Sequence, residues 1–182
     1  RQRQMCIRDR LKVARSLRKT TKHHTTSVDR AFDEVITRCA DPTRPYAWID
    51  DRVMEVYRYL HDRGWAHSVE TWNAQGRLVG GLYGVSVGGF FSGESMFHDP
   101  EYGRDASKTA LMRLVCELGP GLLDVQWSTP HLARLGVIDV DRTEYLALLS
   151  DALERPSPQW TSPDDPAWNG GHLLERLRKM TN

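Results

Sequence analysis

The sequence predicts a mixed α/β fold of the α+β kind, a mixed β-sheet flanked by helices. Three patterns predict it. Apolar residues recur at helical spacing between residues 32 and 60. The period then shortens to that of strands around glycine-rich turns, and from residue 106 helices and strands alternate. The chain has 182 residues, 40% hydrophobic and 27% charged, which suits one packed domain and excludes a collagen, a coiled coil or a wholly disordered chain. It has no run of about 18 apolar residues, so neither a membrane-spanning helix nor a membrane partner is expected.

Phe32, Val35, Ile36 and Cys39 follow the i, i+3, i+4, i+7 pattern of a first helix, with Asp29 as its N-cap and Pro42 and Pro45 closing it. Val53, Val56, Tyr57 and Leu60 predict a second, with Gly64 at its C′ position. Residues 65–72 read as a strand, 73–76 as a turn, 78–87 as a second strand, Gly88-Gly89 as a hairpin signal and 90–94 as a third strand. A helix follows with Ala106, Ala110, Leu111, Leu114, Val115 and Leu118 on one side. Residues 122–127 predict a short strand, 131–135 a helical turn closed by Gly136, 137–140 another strand and 143–153 a last helix.

The two ends read differently. Residues 1–10 have no helical or strand period and no apolar signal-peptide run, and are read as a junction segment outside the fold. The domain is expected to run from 11 to 154. Pro156, Pro158, Pro163 and Pro166 predict a Pro-rich tail over 155–182, closed by a short basic helix at 172–180. The net charge of +1 hides an asymmetry of +8 in residues 1–30 against −7 in the remainder, and residues 11–30 alone carry +5. A basic arm on an acidic body points to nucleic acid. Cys6, Cys39 and Cys116 are odd in number and contain no C-x-x-C, so neither a disulfide framework nor a cysteine zinc site is expected. Cys39 and Cys116 fall on apolar stripes and read as buried, inert thiols of a reducing cytoplasm.

Several motifs leave a choice open. The glycines from Gly80 to Gly93 are flanked by strand-like sequence, which excludes a phosphate-cradling loop and predicts turns and close backbone approach. Seven histidines show no metal-ligand spacing, so no metal and no cofactor are expected. Asp124 and Gln126 fall on one face of the strand 122–127, either as a hydrogen-bonded structural pair or as a site in which Asp124 orients the Gln126 amide. Glu94, set among Phe90, Phe91, Met96 and Phe97, is either exposed at a strand end or a functional carboxylate that finds a partner or titrates high. Arg15, Arg18, Lys19 and Lys22 are either a solvated face or a grip on phosphates.

Beside these open readings stands a resemblance carried by ordered motifs. Ala14-Arg15-Ser16-Leu17-Arg18-Lys19, Trp48-Ile49 and Ala66-His67-Ser68-Val69-Glu70-Thr71-Trp72 lead to the most specific segments. Those are Leu78-Val79-Gly80-Gly81-Leu82-Tyr83-Gly84-Val85, Gly93-Glu94-Ser95-Met96-Phe97, Ala106-Ser107-Lys108-Thr109-Ala110-Leu111, Asp124-Val125-Gln126 and His131-Leu132 with Leu135-Gly136. In this order, from about residue 11 to 149, the chain resembles the leucyl/phenylalanyl-tRNA–protein transferases, bacterial aminoacyl-transferases of the N-degron pathway. The resemblance implies an acetyltransferase-like (GNAT-type) fold used without acetyl-CoA. It implies transfer of Leu, Phe or Met from aminoacyl-tRNA to proteins that begin with Arg or Lys, marking them for degradation. A monomer is expected, because no long exposed apolar stripe remains once the core is assigned.

The resemblance also implies roles. Gln126 positions the reacting groups, Asp124 polarises and orients Gln126, and Glu94 lies nearby. Leu82, Met96, Leu111, Leu114, Leu118 and Leu123 form the pocket for the aminoacyl side chain. Trp48 packs on the terminal adenosine, and Arg15, Arg18, Lys19 and Lys22 hold the acceptor stem. The aromatic-Pro-Trp and Trp-Ser-Pro segments of the family's N-terminal lobe do not occur here, so the resemblance implies a chain truncated at its start, without the second adenosine-stacking tryptophan. Two other readings stand beside it: a small-molecule N-acetyltransferase, for which Arg77–Leu82 is a faint match to the acyl-CoA loop, and a non-catalytic tRNA-binding remnant.

Overall fold

Alternation along the central strands sets the layers. The computed structural model describes residues 4–7, 11–44, 47–126 and 130–180, with the backbone alone at 4–7, 130 and 131. The elements run β1 (Gln4–Ile7), α1 (Arg15–Thr21), β2 (Thr25–Val28), α2 (Phe32–Cys39), α3 (Asp51–Asp62), β3 (Ala66–Trp72), β4 (Leu78–Val87) and β5 (Phe90–His98). They continue with α4 (Ala106–Leu118), β6 (Leu122–Asp124), α5 (Pro130–Arg134), β7 (Ile138–Val140), α6 (Arg142–Glu154), β8 (Trp168–Asn169) and α7 (Gly170–Met180). The strands form one mixed sheet in the order β7-β1-β6-β5-β4-β3-β2-β8. Among the described residues only β5 and β6 pair in parallel, joined by the α4 crossover.

Successive side chains on β4 point to opposite faces. Leu82 packs with Val69, Phe91, Leu111, Leu114 and Leu123 under α4, and Leu17 of α1 and Leu173 and Leu177 of α7 complete that layer. Tyr83 packs on the other face with Phe32, Val35, Ile36 and Cys39 of α2 and Tyr57 of α3. A third cluster joins Tyr145 and Ala152 of α6 to Leu122 and Val140. Gly80 is required where β4 meets α4, because a Cβ there would lie 2.5 Å from the Ala106 Cβ. The segment expected to be faintly like an acyl-CoA loop is therefore the inside of a strand pressed on a helix.

The structure corrects several expectations. Gln4–Ile7, read as outside the fold, is a strand between β6 and β7. The helix α1 and the strand β2, which no periodicity announced, precede the first expected helix. Asp29 does not cap α2. Its backbone is left-handed at φ +54°, and its carboxylate accepts from the Ser68 amide at 2.7 Å while lying 2.7 Å from His67 Nδ1. The start of α2 is served instead by buried Glu70, which accepts from the Arg30 and Ala31 amides at 3.4 and 3.5 Å. Burial pushes the Glu70 carboxyl above its usual range, against hydrogen bonds from Ser27 and Ser68. Gly64 takes the left-handed C′ position as expected, at φ +71°. Pro45 lies outside the described residues. Burial raises the Cys39 thiol to about 11 and the Cys116 thiol to about 12, in keeping with inert interior cysteines.

The expected Pro-rich tail is part of the body. The strand β8 pairs with β2, and the expected basic helix starts earlier, at Gly170. Arg113 of α4, fully buried, pairs with Glu117 at 2.6 Å and stacks on Trp168 with 3.4 Å to the ring centre. Glu117 in turn accepts from the Thr161 amide and hydroxyl at 3.1 and 2.9 Å. This network fastens the proline-containing segment across α4.

Leu173→Ala should therefore destabilise the chain by about 2–5 kcal/mol in urea unfolding, as for a core leucine. A loss under about 0.5 kcal/mol, the size of a surface change, would mean that α7 is a loose appendage.

Candidate functional site: a cavity where two parallel strands part

The strands β5 and β6 stay paired for three positions only, Phe90↔Leu122, Phe91↔Leu123 and Ser92↔Asp124. Beyond Ser92 the strand β5 runs on to His98 while β6 stops. The two ends part toward their carboxyl side, where open α/β sheets commonly bind ligands. A cavity of about 130 Å³ opens there, lined by Leu82, Met96, Leu111, Leu114 and Leu123 together with Val125 and Leu132. Five of the six expected pocket residues thus meet. Leu118 does not: one helical turn beyond Leu114, it is buried against the Gly121 turn and lies off the cavity.

A bulge in β5 supplies the polar mouth. Tyr83 pairs with Ser95 and Gly84 with Gly93, so Glu94 is the extra residue. Bulges re-aim side chains next to functional sites. Gly84 makes this bulge possible, since a Cβ there would stand 2.1 Å from the Ser92 carbonyl oxygen. The freed length of β5 is held from behind by Arg44, which donates to the Met96 and Cys39 carbonyls at 2.6 and 2.8 Å.

Glu94 finds partners rather than solvent alone. Its Oε1 accepts from the Ser92 hydroxyl at 3.0 Å and its Oε2 from Gln126 Nε2 at 3.1 Å. Gln126 Nε2 also donates to the Gly93 carbonyl at 3.2 Å. Both donors of the amide are thus committed, and Oε1 is left as the acceptor it can present. Burial, with the Glu94 carboxylate nearby, raises the Tyr57 phenol, and burial raises that of Tyr83, packed beside it on the α2–α3 face. Both remain neutral hydroxyls at neutral pH.

The expected strand over 122–127 ends early, and this changes the role of Asp124. Gln126 has a left-handed backbone at φ +61°, so the two residues do not share a strand face, and Trp127 lies outside the described residues. A left-handed non-glycine residue costs about 1–2 kcal/mol. Asp124 stabilises it through the backbone: Oδ1 accepts from the Gln126 amide N–H at 2.7 Å. Its Oδ2 accepts from the Tyr145 hydroxyl of α6 at 2.8 Å. Asp124 therefore orients Gln126 through its main chain, and Glu94 is the residue that holds the side-chain amide. Tyr145 was not visible in the sequence as a member of the site; only its place within the expected helix over 143–153 was.

The remaining site residues lie apart from the cavity. Trp48 stands 51% exposed before α3, on the α2–α3 side of the sheet. Arg15, Arg18, Lys19 and Lys22 line an open groove on the side of α1, α4 and α7. Among the described residues no cluster of three potential metal ligands occurs, and no helix is long and apolar enough to cross a membrane.

These features define an α/β domain in which an apolar, side-chain-sized cavity opens onto a carboxylate–carboxamide pair. Residues 5–150 match the family described as leucyl/phenylalanyl-tRNA protein transferase, and the chain belongs to that family. Relatives that carry the same name include proteins from Rhizorhabdus wittichii (44% identical, covering 90% of this chain and 73% of the relative) and Afipia carboxidovorans (40%, 94% and 77%). Another is from Caulobacter vibrioides (52%, 71% and 60%). Among solved structures, L-PGS from Bacillus licheniformis aligns over 84% of this chain and 65% of its own, with a TM-score of 0.45 and 10% identity.

Tyr145→Phe should cost about 1–3 kcal/mol in urea unfolding, because it leaves a buried Asp124 oxygen without its donor. An unchanged midpoint would show that Tyr145 does not support Asp124.

Proposed function

We propose that this chain transfers Leu, Phe or Met from aminoacyl-tRNA to the α-amino group of proteins beginning with Arg or Lys, and so marks them for degradation in the cytoplasm. We also read the fold as GNAT-like, since a mixed sheet covered by helices on both faces fits the fold that the family resemblance implies. The reading rests on family membership together with one observation, the cavity between β5 and β6. Its volume of about 130 Å³ is close to that of a roughly 150 Å³ protein cavity that accepts benzene, so an isobutyl, thioether or benzyl side chain fits it in size. Its apolar lining rewards burial of such a group.

The chemistry needs little from the protein. The acceptor nitrogen forms a bond to the ester carbonyl carbon, the bond from that carbon to the ribose oxygen breaks, and the amine proton passes to the leaving hydroxyl. Aminolysis of an ester is downhill, so proximity and electrostatic positioning are the main requirements. Gln126 is no base. With its Nε2 committed to Gly93 and Glu94, its Oε1 accepts a hydrogen bond from the attacking amine and aims the nitrogen lone pair. Glu94, at the cavity mouth, faces the α-ammonium of the aminoacyl group. Asp124 is a positioning residue, and Trp48 offers an exposed ring for the terminal adenosine.

The test is transfer of labelled leucine from Leu-tRNA to a peptide with N-terminal Arg. Transfer is expected, with kcat reduced about 100-fold in Gln126→Ala, the size seen when one positioned polar group is lost. Absence of transfer from Leu-, Phe- and Met-tRNA alike would overturn the proposal, and so would acetylation of the same peptide from acetyl-CoA.

A further inference from the structure

The spacing Arg15, Arg18, Lys19, Lys22 is i, i+3, i+4, i+7, so the four cations share one face of α1 and its C-cap. The buried residues Leu17 and Thr21 face the body. The cationic face forms one wall of an open groove of about 510 Å³. The opposite wall comes from the far end of the chain: Leu174, Glu175 and Arg178 of α7. The segment that carries this wall lies beyond residues 5–150, the stretch that matches the family.

The two walls are locked together. The Gly170 amide donates to the His24 carbonyl at 2.9 Å, and a Cβ at Gly170 would lie 1.8 Å from the Thr21 carbonyl oxygen. The first residue of α7 therefore sits directly on the end of α1. Pairing of β8 with β2, at Thr25↔Asn169 and Thr26↔Trp168, fixes the same junction. Leu173 and Leu177 anchor one side of α7 in the core, which turns Leu174 and Arg178 toward α1. The one carboxylate lining the groove, Glu175, is paired with Lys179 at 2.8 Å. The groove thus presents five cations from two rigidly joined helices, on the same layer of the sheet as the apolar cavity.

We propose that α7 is the second wall of a phosphate-binding groove that holds the RNA backbone of the aminoacyl-tRNA, with Arg178 opposing the α1 cations. The inference rests on the transferase reading and adds to it a contact supplied by the C-terminal segment. Two facing rows of cations suit a polyanionic strand laid between them. They read charge and shape and carry no sequence information, as a protein that accepts several tRNAs requires.

The experiment measures tRNA binding by the full chain as a function of salt. Arg178→Gln should weaken binding roughly five-fold and lower the slope of log Kd against log salt by about one, as should Arg18→Gln. Arg178→Lys should restore most of the affinity. Arg63→Gln, on the opposite side of the sheet, should change nothing. If Arg18→Gln weakens binding while Arg178→Gln does not, the α7 wall is wrong and the transferase reading stands. If neither matters, RNA does not use this groove at all. Equal losses in Arg178→Gln and Arg178→Lys would make Arg178 a structural residue and also overturn the inference. Binding to anionic lipid vesicles in preference to tRNA would assign the groove to a membrane surface instead.

Discussion

The short parallel pairing of β5 with β6 is the constraint from which the site follows. Three paired positions align Ser92 with Asp124, and then the ladder ends. An open edge in mid-sheet leaves backbone groups that need other partners. Here the Gln126 side chain takes the Gly93 carbonyl, and Arg44 takes that of Met96. The gap becomes a lined cavity because α4 crosses behind it with Leu111 and Leu114, while the Glu94 bulge turns a carboxylate to its mouth. Each polar group at the mouth is oriented by a neighbour, so a left-handed glutamine is maintained at a place where it can act.

Buried charge does a different job on the far side of α4. Arg113 and Glu117 are both interior and would be costly alone, yet each is shared with a segment distant in sequence: Trp168 with the arginine, Thr161 with the glutamate. The proline-containing stretch has little secondary structure of its own, so this network and the Leu173–Leu177 stripe determine where α7 lies. The fold thereby brings basic residues from both ends of the chain into one groove.

Much of the framework was legible because it depends on period and punctuation. The helices α2, α3 and α4, the β3–β4–β5 meander and the Gly64 cap follow from apolar spacing and glycine placement. What escaped has physical causes. The helix α1 buries only Leu17 and Thr21, too little for a stripe, and its charges mask its period. The strand β2 is four residues of threonine, serine and valine whose burial comes from its neighbours. Asp29 looked like a cap, but a left-handed turn directs it to His67 and Ser68, and Glu70 from another strand takes over. At the site, Glu94, Asp124 and Gln126, which the sequence singles out, lie together. Their wiring was not readable, because it depends on a bulge in one strand and a left-handed residue after another. Leu118 shares the stripe of Leu111 and Leu114, yet the cavity is one helical turn too short to reach it. Tyr145 completes Asp124 from a helix with no local signal for that role.

The central claim is that the gap between β5 and β6 receives the aminoacyl side chain. It is tested most directly by the affinity of the chain for hydrolysis-resistant aminoacyl-adenosine amides that differ only in the side chain. The leucine and phenylalanine forms should bind at least about ten-fold more tightly than the valine form, whose β-branch meets the mouth and whose shorter chain leaves the cavity part-filled. Leu114→Phe, which fills the cavity from its wall, should erase that preference. Equal affinity for all three side chains, or a preference that survives Leu114→Phe, would contradict the account.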